Sequence, residues 1–108
     1  MEQLQRLAET IADTYIRDRI REHGDNKFTH EGKTGEISRE LLASGLVDNC
    51  VYAAKSNGKV DYEREAYAML MEMISLDGRE YQVTSHGLNV IDNMHRIAVR
   101  KAIVRVNH

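Results

Sequence analysis

The sequence predicts a mainly α-helical fold, a compact domain of four helices. Three observations predict it. Proline is absent from all 108 residues, where average usage of about 5% would supply roughly five. Apolar residues recur at i, i+3 and i+4 through four segments, and glycine-bearing polar breaks separate those segments. The missing proline removes the commonest helix breaker, and the apolar spacing is that of a helix with one face turned to a core.

The first helix is expected over Glu2–His23. Leu4, Leu7, Ala8, Ile11, Ala12, Tyr15, Ile16 and Ile20 form its stripe. The pairs Glu2/Arg6 and Asp13/Arg17 stand at i, i+4 with the acid first, the better orientation, and Gly24 follows as a stop. Residues 24–36 are polar, glycine-punctuated and without period, which predicts a loop tethered through Phe28. The second helix is expected over Ile37–Ser56, with Thr34 or Ser38 near its start. Ile37, Leu41, Leu42, Leu46, Cys50, Ala53 and Ala54 share one side of it.

Asn57-Gly58 ends that helix. Asp61 is then a good N-cap, Val60 a staple residue before it, and Glu63 and Glu65 suit the positive end of a third helix. That helix is expected to run to about Leu76 and stop at Asp77-Gly78. Its apolar residues (Tyr62, Ala66, Tyr67, Met69, Leu70, Met71, Met73 and Ile74) span half of its circumference or more at about 100° per residue. So wide an arc predicts a helix that is central in the fold or also faces a partner. Ser85 is expected to cap a fourth helix through Leu88, Ile91, Met94 and Ala98 to about Lys101. Residues 102–106, AIVRV, alternate and are β-branched, so they predict a short strand. EYQVT, residues 80–84, is the expected partner.

Composition bounds the function. The length is near the commonest size for one domain, so residues 1–108 are read as a single helical domain. Hydrophobic residues at 42% against charged residues at 30% are a globular balance. A net charge of −2 gives no global attraction for nucleic acid or an anionic membrane. One cysteine makes a reducing compartment the default, and no apolar run approaches the roughly 18 residues a membrane span needs. Glu2, Glu9, Asp13 and Asp18 are wrong for an acid-poor transit peptide. A soluble cytoplasmic protein without a membrane association is expected.

The sharpest punctuation in the chain is AAKSNGKVDYERE, residues 53–65. Read as an EF-hand with Gly58 sixth, the loop would begin at Ala53, with Lys55 third and Arg64 twelfth. Calcium needs oxygen ligands at those positions, so the EF-hand reading fails. AAKSNGKVDYEREAYAML, residues 53–70, resembles the helix–SDG–helix step of the TerB-like tellurite-resistance proteins. Lys55, Ser56, Gly58, Val60 and Asp61 match, while Asn57 stands where the family has Asp. The resemblance implies a helical fold and a divalent-metal-responsive module, with Asp61 and Glu65 as the acidic groups left to it.

Other motifs are weaker. His23, His30, His86, His95 and His108 do not fall into a zinc spacing such as HExxH. Cys50 lacks the local signature of a catalytic thiol and reads as a small apolar core residue. A helix-turn-helix forced on residues 37–56 puts Glu40 and Ser44 where apolar residues belong, and its recognition helix carries no Arg. The nucleic-acid argument rests instead on Arg96, Arg100, Lys101 and Arg105. Residues 79–108 sum to +3 and residues 61–77 to −4, so the two regions are expected to neutralise each other within the fold or across a dimer.

With no nucleophile–base pair or carboxylate dyad to place, the sequence predicts no enzyme and no cofactor. It predicts a small protein-binding regulator of adaptor or inhibitor type, alone or as a homodimer, acting through a helical face. Tyr67, Met71 and Ile74 are the expected contact residues, because flexible thioethers and tyrosines suit adaptable interfaces. The alternatives are a nucleic-acid-binding protein using the basic C-terminal segment and the TerB-like metal-responsive module.

Overall fold

The computed structural model describes residues 2–30, 33–101 and 104–106, and the side chains of residues 2–27 and 35–94. Local rules set most of its elements. The stripe at the start of the chain forms helix α1, Glu2–His23. It ends where Gly24, at φ 83°, donates its N–H to the Ile20 carbonyl at 2.8 Å, a left-handed stop that glycine takes without a Cβ penalty. Strands β1 (Lys27–His30) and β2 (Lys33–Ile37) follow. Helix α2, Arg39–Ser56, is capped by Ser38, whose hydroxyl accepts from the Leu41 N–H at 3.3 Å. Helix α3 is Tyr62–Met71, strands β3 and β4 are Ile74–Asp77 and Glu80–Val83, helix α4 is Ser85–Lys101, and strand β5 is Val104–Val106. Four helices dominate, and the fold is mainly α.

The core lies between α1, α2 and α3, which all pack on one another. Leu4, Ala8, Ile11, Ala12 and Tyr15 enter it from α1, and Ala66 and Leu70 from α3. Helix α2 fills the middle. Leu42, Ala43, Leu46, Val47, Cys50 and Ala54 are buried on it, while Leu41 is exposed. The one-sided stripe read from the sequence is therefore corrected: with α1 and α3 both against it, α2 buries Ala43 and Val47 as well. Helix α2, not α3, is the central helix. Ile91 and Met94 close the core from α4.

The β structure departs from expectation in three ways. Residues 27–30 and 33–37 are an antiparallel ladder, with Lys27 opposite Glu36 and Thr29 opposite Thr34, where an unstructured loop was expected. Asn26 closes its base, its side-chain N–H donating to the Ile37 carbonyl at 2.9 Å while its backbone carbonyl accepts from the Ile37 N–H. The tether expected of Phe28 lies outside the described side chains. Second, α3 ends at Met71, and Ile74–Asp77 is a strand rather than the last turn of a helix.

Third, β4 does not pair with β5, the described part of the expected partner strand. Strand β4 pairs with β3, and β5 pairs with β2 in the order β1-β2-β5. The β3–β4 connection is two residues long, and its first, Gly78, has φ 66°, as the tight primed turns of hairpins require. A two-residue closure costs far less chain entropy than one that must cross the whole of α4, so the local pairing wins.

Thr84 locks this hairpin to the helices. Its N–H donates to the Met73 carbonyl at 3.0 Å and its hydroxyl to the Glu72 carbonyl at 2.8 Å. The same hydroxyl accepts from the Gly87 N–H at 3.1 Å. Thr84, not Ser85, is thus the N-cap of α4. Gly87 sits against the junction so closely that a Cβ would lie 2.5 Å from the Met73 carbonyl oxygen and 2.8 Å from Val83 Cγ1.

Gly87 gives a test with an unusual sign. In an open helix Gly→Ala stabilises by about 1 kcal/mol. Here Gly87→Ala is expected to destabilise by about 1–3 kcal/mol, the cost of overpacking. Thermal or urea unfolding of the two proteins decides it, and a more stable Gly87→Ala protein would contradict the packing of α4 on the hairpin.

Candidate protein-binding surface

Of the contact residues expected from the sequence, Tyr67 and Met71 lie on α3. Asp61 accepts from the Arg64 N–H at 3.4 Å and caps the helix, with Glu63 and Glu65 in its first turn. Lys55 at the end of α2 lies 4.5 Å above the Tyr62 ring, a cation–π contact that ties the two helices. Val60 makes no staple; it is 97% exposed.

Ala66 and Leu70 are fully buried, and Met73 beyond the helix end nearly so. Met69 packs against them from the side. That arc is enough to seat a ten-residue helix. Tyr67 and Met71, one turn apart, stand beside it and remain 39% and 49% exposed. Ile74 does not join them. It is 7% exposed, in β3 and facing the core, so the expected trio is corrected to the pair Tyr67 and Met71.

A cleft of about 400 Å³ opens where the start of α3 meets the start of α1, lined by Leu4, Asp61, Glu63, Arg64 and Tyr67 among others. Tyr67 therefore borders a concavity, and Met71 extends the apolar surface along the helix. A second cleft of about 380 Å³ lies between α1, β4 and α4 beside Tyr15 and Leu88. Burial raises the pKa of the Tyr15 hydroxyl there.

Sequence reasoning missed one exposed apolar pair. Leu76 and Tyr81 are cross-strand partners in the β3–β4 hairpin and are 62% and 47% exposed. They continue outward the row that Ile74 and Val83 begin at the core. The Asp77-Gly78 turn between two alternating apolar runs was the signal for it; that dipeptide also stops helices.

Charges divide unevenly over the surface. On the α1 side they are matched. Arg6 meets Glu2 at 2.6 Å, Arg21 meets Glu80 at 2.9 Å, and Arg39 of α2 bonds Asp13 and approaches Glu9 at 3.5 Å. Arg17 bonds Asp18 at 2.9 Å and the Tyr81 carbonyl at 2.7 Å. The expected Asp13/Arg17 pair is thus replaced, because each finds a partner on another element. The Arg21 hydrogen bond and charge hold Glu80 below the usual carboxylate range. Away from α1, Asp48 on α2, Arg64 and Glu65 on α3, Glu72 at its end, Asp77 on β3, Arg79 in the hairpin turn and Asp92 on α4 form no ion pair among the described residues.

Arg96, Arg100 and Lys101 are on α4 and Arg105 is on β5, opposite Glu36 in the register; their side chains lie outside the described residues. Of the metal pair, Asp61 is engaged as a helix cap. No group of three or more His, Cys, Asp or Glu stands close enough to hold a metal among the described residues. Cys50 is 2% exposed, and burial pushes its thiol up to about 11. No described helix is long and apolar enough to cross a membrane. Compared with protein-family models, curated proteins and solved structures, the chain matches none.

Two expectations follow from these positions. Asp61→Ala should cost about 0.5–2 kcal/mol, the usual value of an N-cap, by the same amount with and without calcium; calcium at millimolar level should not move the melting temperature of either protein. A calcium-dependent rise abolished by Asp61→Ala would restore the metal reading. Cys50 should resist a thiol reagent at neutral pH until the protein unfolds. Because its folded pKa is raised, the associated stability is present below its ordinary pKa near 9 and is lost as pH climbs through about 11. Cys50→Ala should flatten that alkaline fall, which pH-dependent melting measures.

Proposed function

We propose that this chain is a small non-enzymatic protein-binding regulator of the adaptor or inhibitor type, acting through the outer face of α3. One observation carries the reading: Tyr67 and Met71 stay exposed on a helix whose packing is already completed by Ala66, Leu70 and Met73. Large apolar side chains grouped beside a cleft are a common mark of an interaction site. Tyrosine and methionine add adaptability, since the thioether repacks and the phenol offers both an apolar ring and a polar tip. The partner is another protein or a second copy of this chain.

Met71→Glu tests this. A half-exposed position tolerates a carboxylate, so the variant should keep the circular dichroism spectrum and a melting temperature within a few degrees of the parent, and should lose its partner. For a self-associating chain, light scattering should fall from a dimer mass to a monomer mass. For a separate target, affinity capture from native lysate, with and without nuclease, should retain the target only on the parent protein. Unfolding of Met71→Glu would return the flank to the core and end the reading.

A further inference from the structure

The end of α2 holds a chemically reactive pair under restraint. Of the asparagines in the chain, only Asn57 precedes a glycine. With no Cβ, glycine is the follower that least hinders attack of its own backbone nitrogen on the asparagine side chain. Both residues are exposed, and a Cβ on Gly58 would meet nothing within 4 Å, so water reaches the turn. The backbone here is a Schellman closure. Asn57 is the C-cap of α2 and Gly58 follows at φ 75°. The Gly58 N–H donates to the Lys55 carbonyl at 3.0 Å, and the Lys59 N–H donates to the Ala54 carbonyl at 3.1 Å.

That closure opposes the reaction in two ways. The Gly58 nitrogen is the nucleophile, and its N–H is committed to Lys55. Asn57 has ψ 6°, which eclipses its own nitrogen with that of Gly58 and leaves Cβ a third of a turn away on the tetrahedral Cα. Closing a five-membered ring needs Cβ and the Gly58 nitrogen on the same side of the Cα–C bond. The turn must therefore open before it can react.

We infer that Asn57 is a site of spontaneous deamidation gated by the α2–α3 turn. In the open turn the Gly58 nitrogen gives up its proton and bonds to Cγ of Asn57. The Cγ–Nδ2 bond breaks, and that nitrogen takes up the proton and leaves as ammonia. Water then opens the cyclic imide. Addition at the side-chain carbonyl leaves an ordinary backbone with aspartate at 57. Addition at the backbone carbonyl gives isoaspartate, whose main chain runs through Cβ. An aspartate can reclose the turn, although its charge opposes the negative end of α2. Isoaspartate cannot, because the extra main-chain carbon moves the Gly58 and Lys59 N–H groups off the Lys55 and Ala54 carbonyls. The damage passes to Asp61, the cap of α3. This chemistry is independent of what covers α3.

The full chain is incubated at mildly alkaline pH, folded in buffer and unfolded in urea. The peptide containing residue 57 is followed by mass spectrometry and by chromatography that separates aspartate from isoaspartate. Asn57 should convert in urea, mainly to isoaspartate. In the folded chain it should convert about tenfold or more slowly, as a reaction confined to a locally open minority requires. Asn57→Gln, whose longer side chain would need a six-membered ring, should convert under neither condition. The purified isoaspartate chain, refolded, should melt below Asn57→Asp, which should keep the helix content of the parent. Equal rates in the folded and unfolded chains would mean that the turn gates nothing. No conversion of Asn57 in urea would remove the site. An isoaspartate chain that melts with Asn57→Asp would show that the turn recloses. Each of these would overturn the inference.

Discussion

Helix α2 is the strut on which the rest of this structure depends. A helix that buries one stripe needs one neighbour; α2 buries Leu42, Ala43, Leu46, Val47, Cys50 and Ala54 and so needs two. Helices α1 and α3 supply them and also touch each other, which makes the three a closed set. Each large residue lost from such a site leaves a cavity, at a cost of about 2–5 kcal/mol for Leu→Ala. The loss would reach both neighbours, because Leu42 and Leu46 have no water-facing side to collapse from. The short α3 in particular could not stand alone, since helices below roughly 12 residues are marginal in water.

Polar contacts then fix what hydrophobic burial leaves free. The β3–β4 hairpin is held at one end by Thr84, which bonds the Glu72 and Met73 carbonyls, and along its side by Arg17 and Arg21 of α1. The Arg contacts are exposed and each worth little alone. Thr84 is different in kind: it joins the end of α3, the end of β4 and the start of α4 through one side chain, and Gly87 allows the approach. Position rather than strength gives these contacts their weight, because they seat the Ile74 end of the hairpin against the core and leave Leu76, on the same face, beyond its edge.

Periodicity made the helices legible. The stripe of α1 is long and regular, Gly24 is an unambiguous stop, and the start of α3 follows from Asp61 as cap. Ser85–Lys101 was also readable, though not that Thr84 caps it, since the choice between adjacent hydroxyls depends on which carbonyls fold nearby. The end of α3 failed for a definite reason. Leu70, Met73 and Ile74 fit a helical spacing, while Ile74 and Leu76 fit a strand, and a short apolar run satisfies both periods. The first ladder was hidden because Lys27, Thr29, Thr34 and Glu36 are polar, so cross-strand pairing rather than alternation identifies it. Strand β5 showed its β-branched alternation, but its partner β2 is a property of the tertiary fold.

The same error displaced the candidate surface and then sharpened it. Treated as a helix to Leu76, the segment seemed to carry an apolar flank of Tyr67, Met71 and Ile74. With the break at Glu72, Ile74 turns into the core and the remaining pair is bordered by the break itself. The last turn of α3 carries no basic side chain, although a basic residue there would be the stabilising choice. This chain places Glu72 there instead. Stability therefore explains the buried arc of α3, its cap and its first turn, but neither the two exposed apolar residues nor the acid at its C-cap. What folding does not require of these residues is what recognition would use.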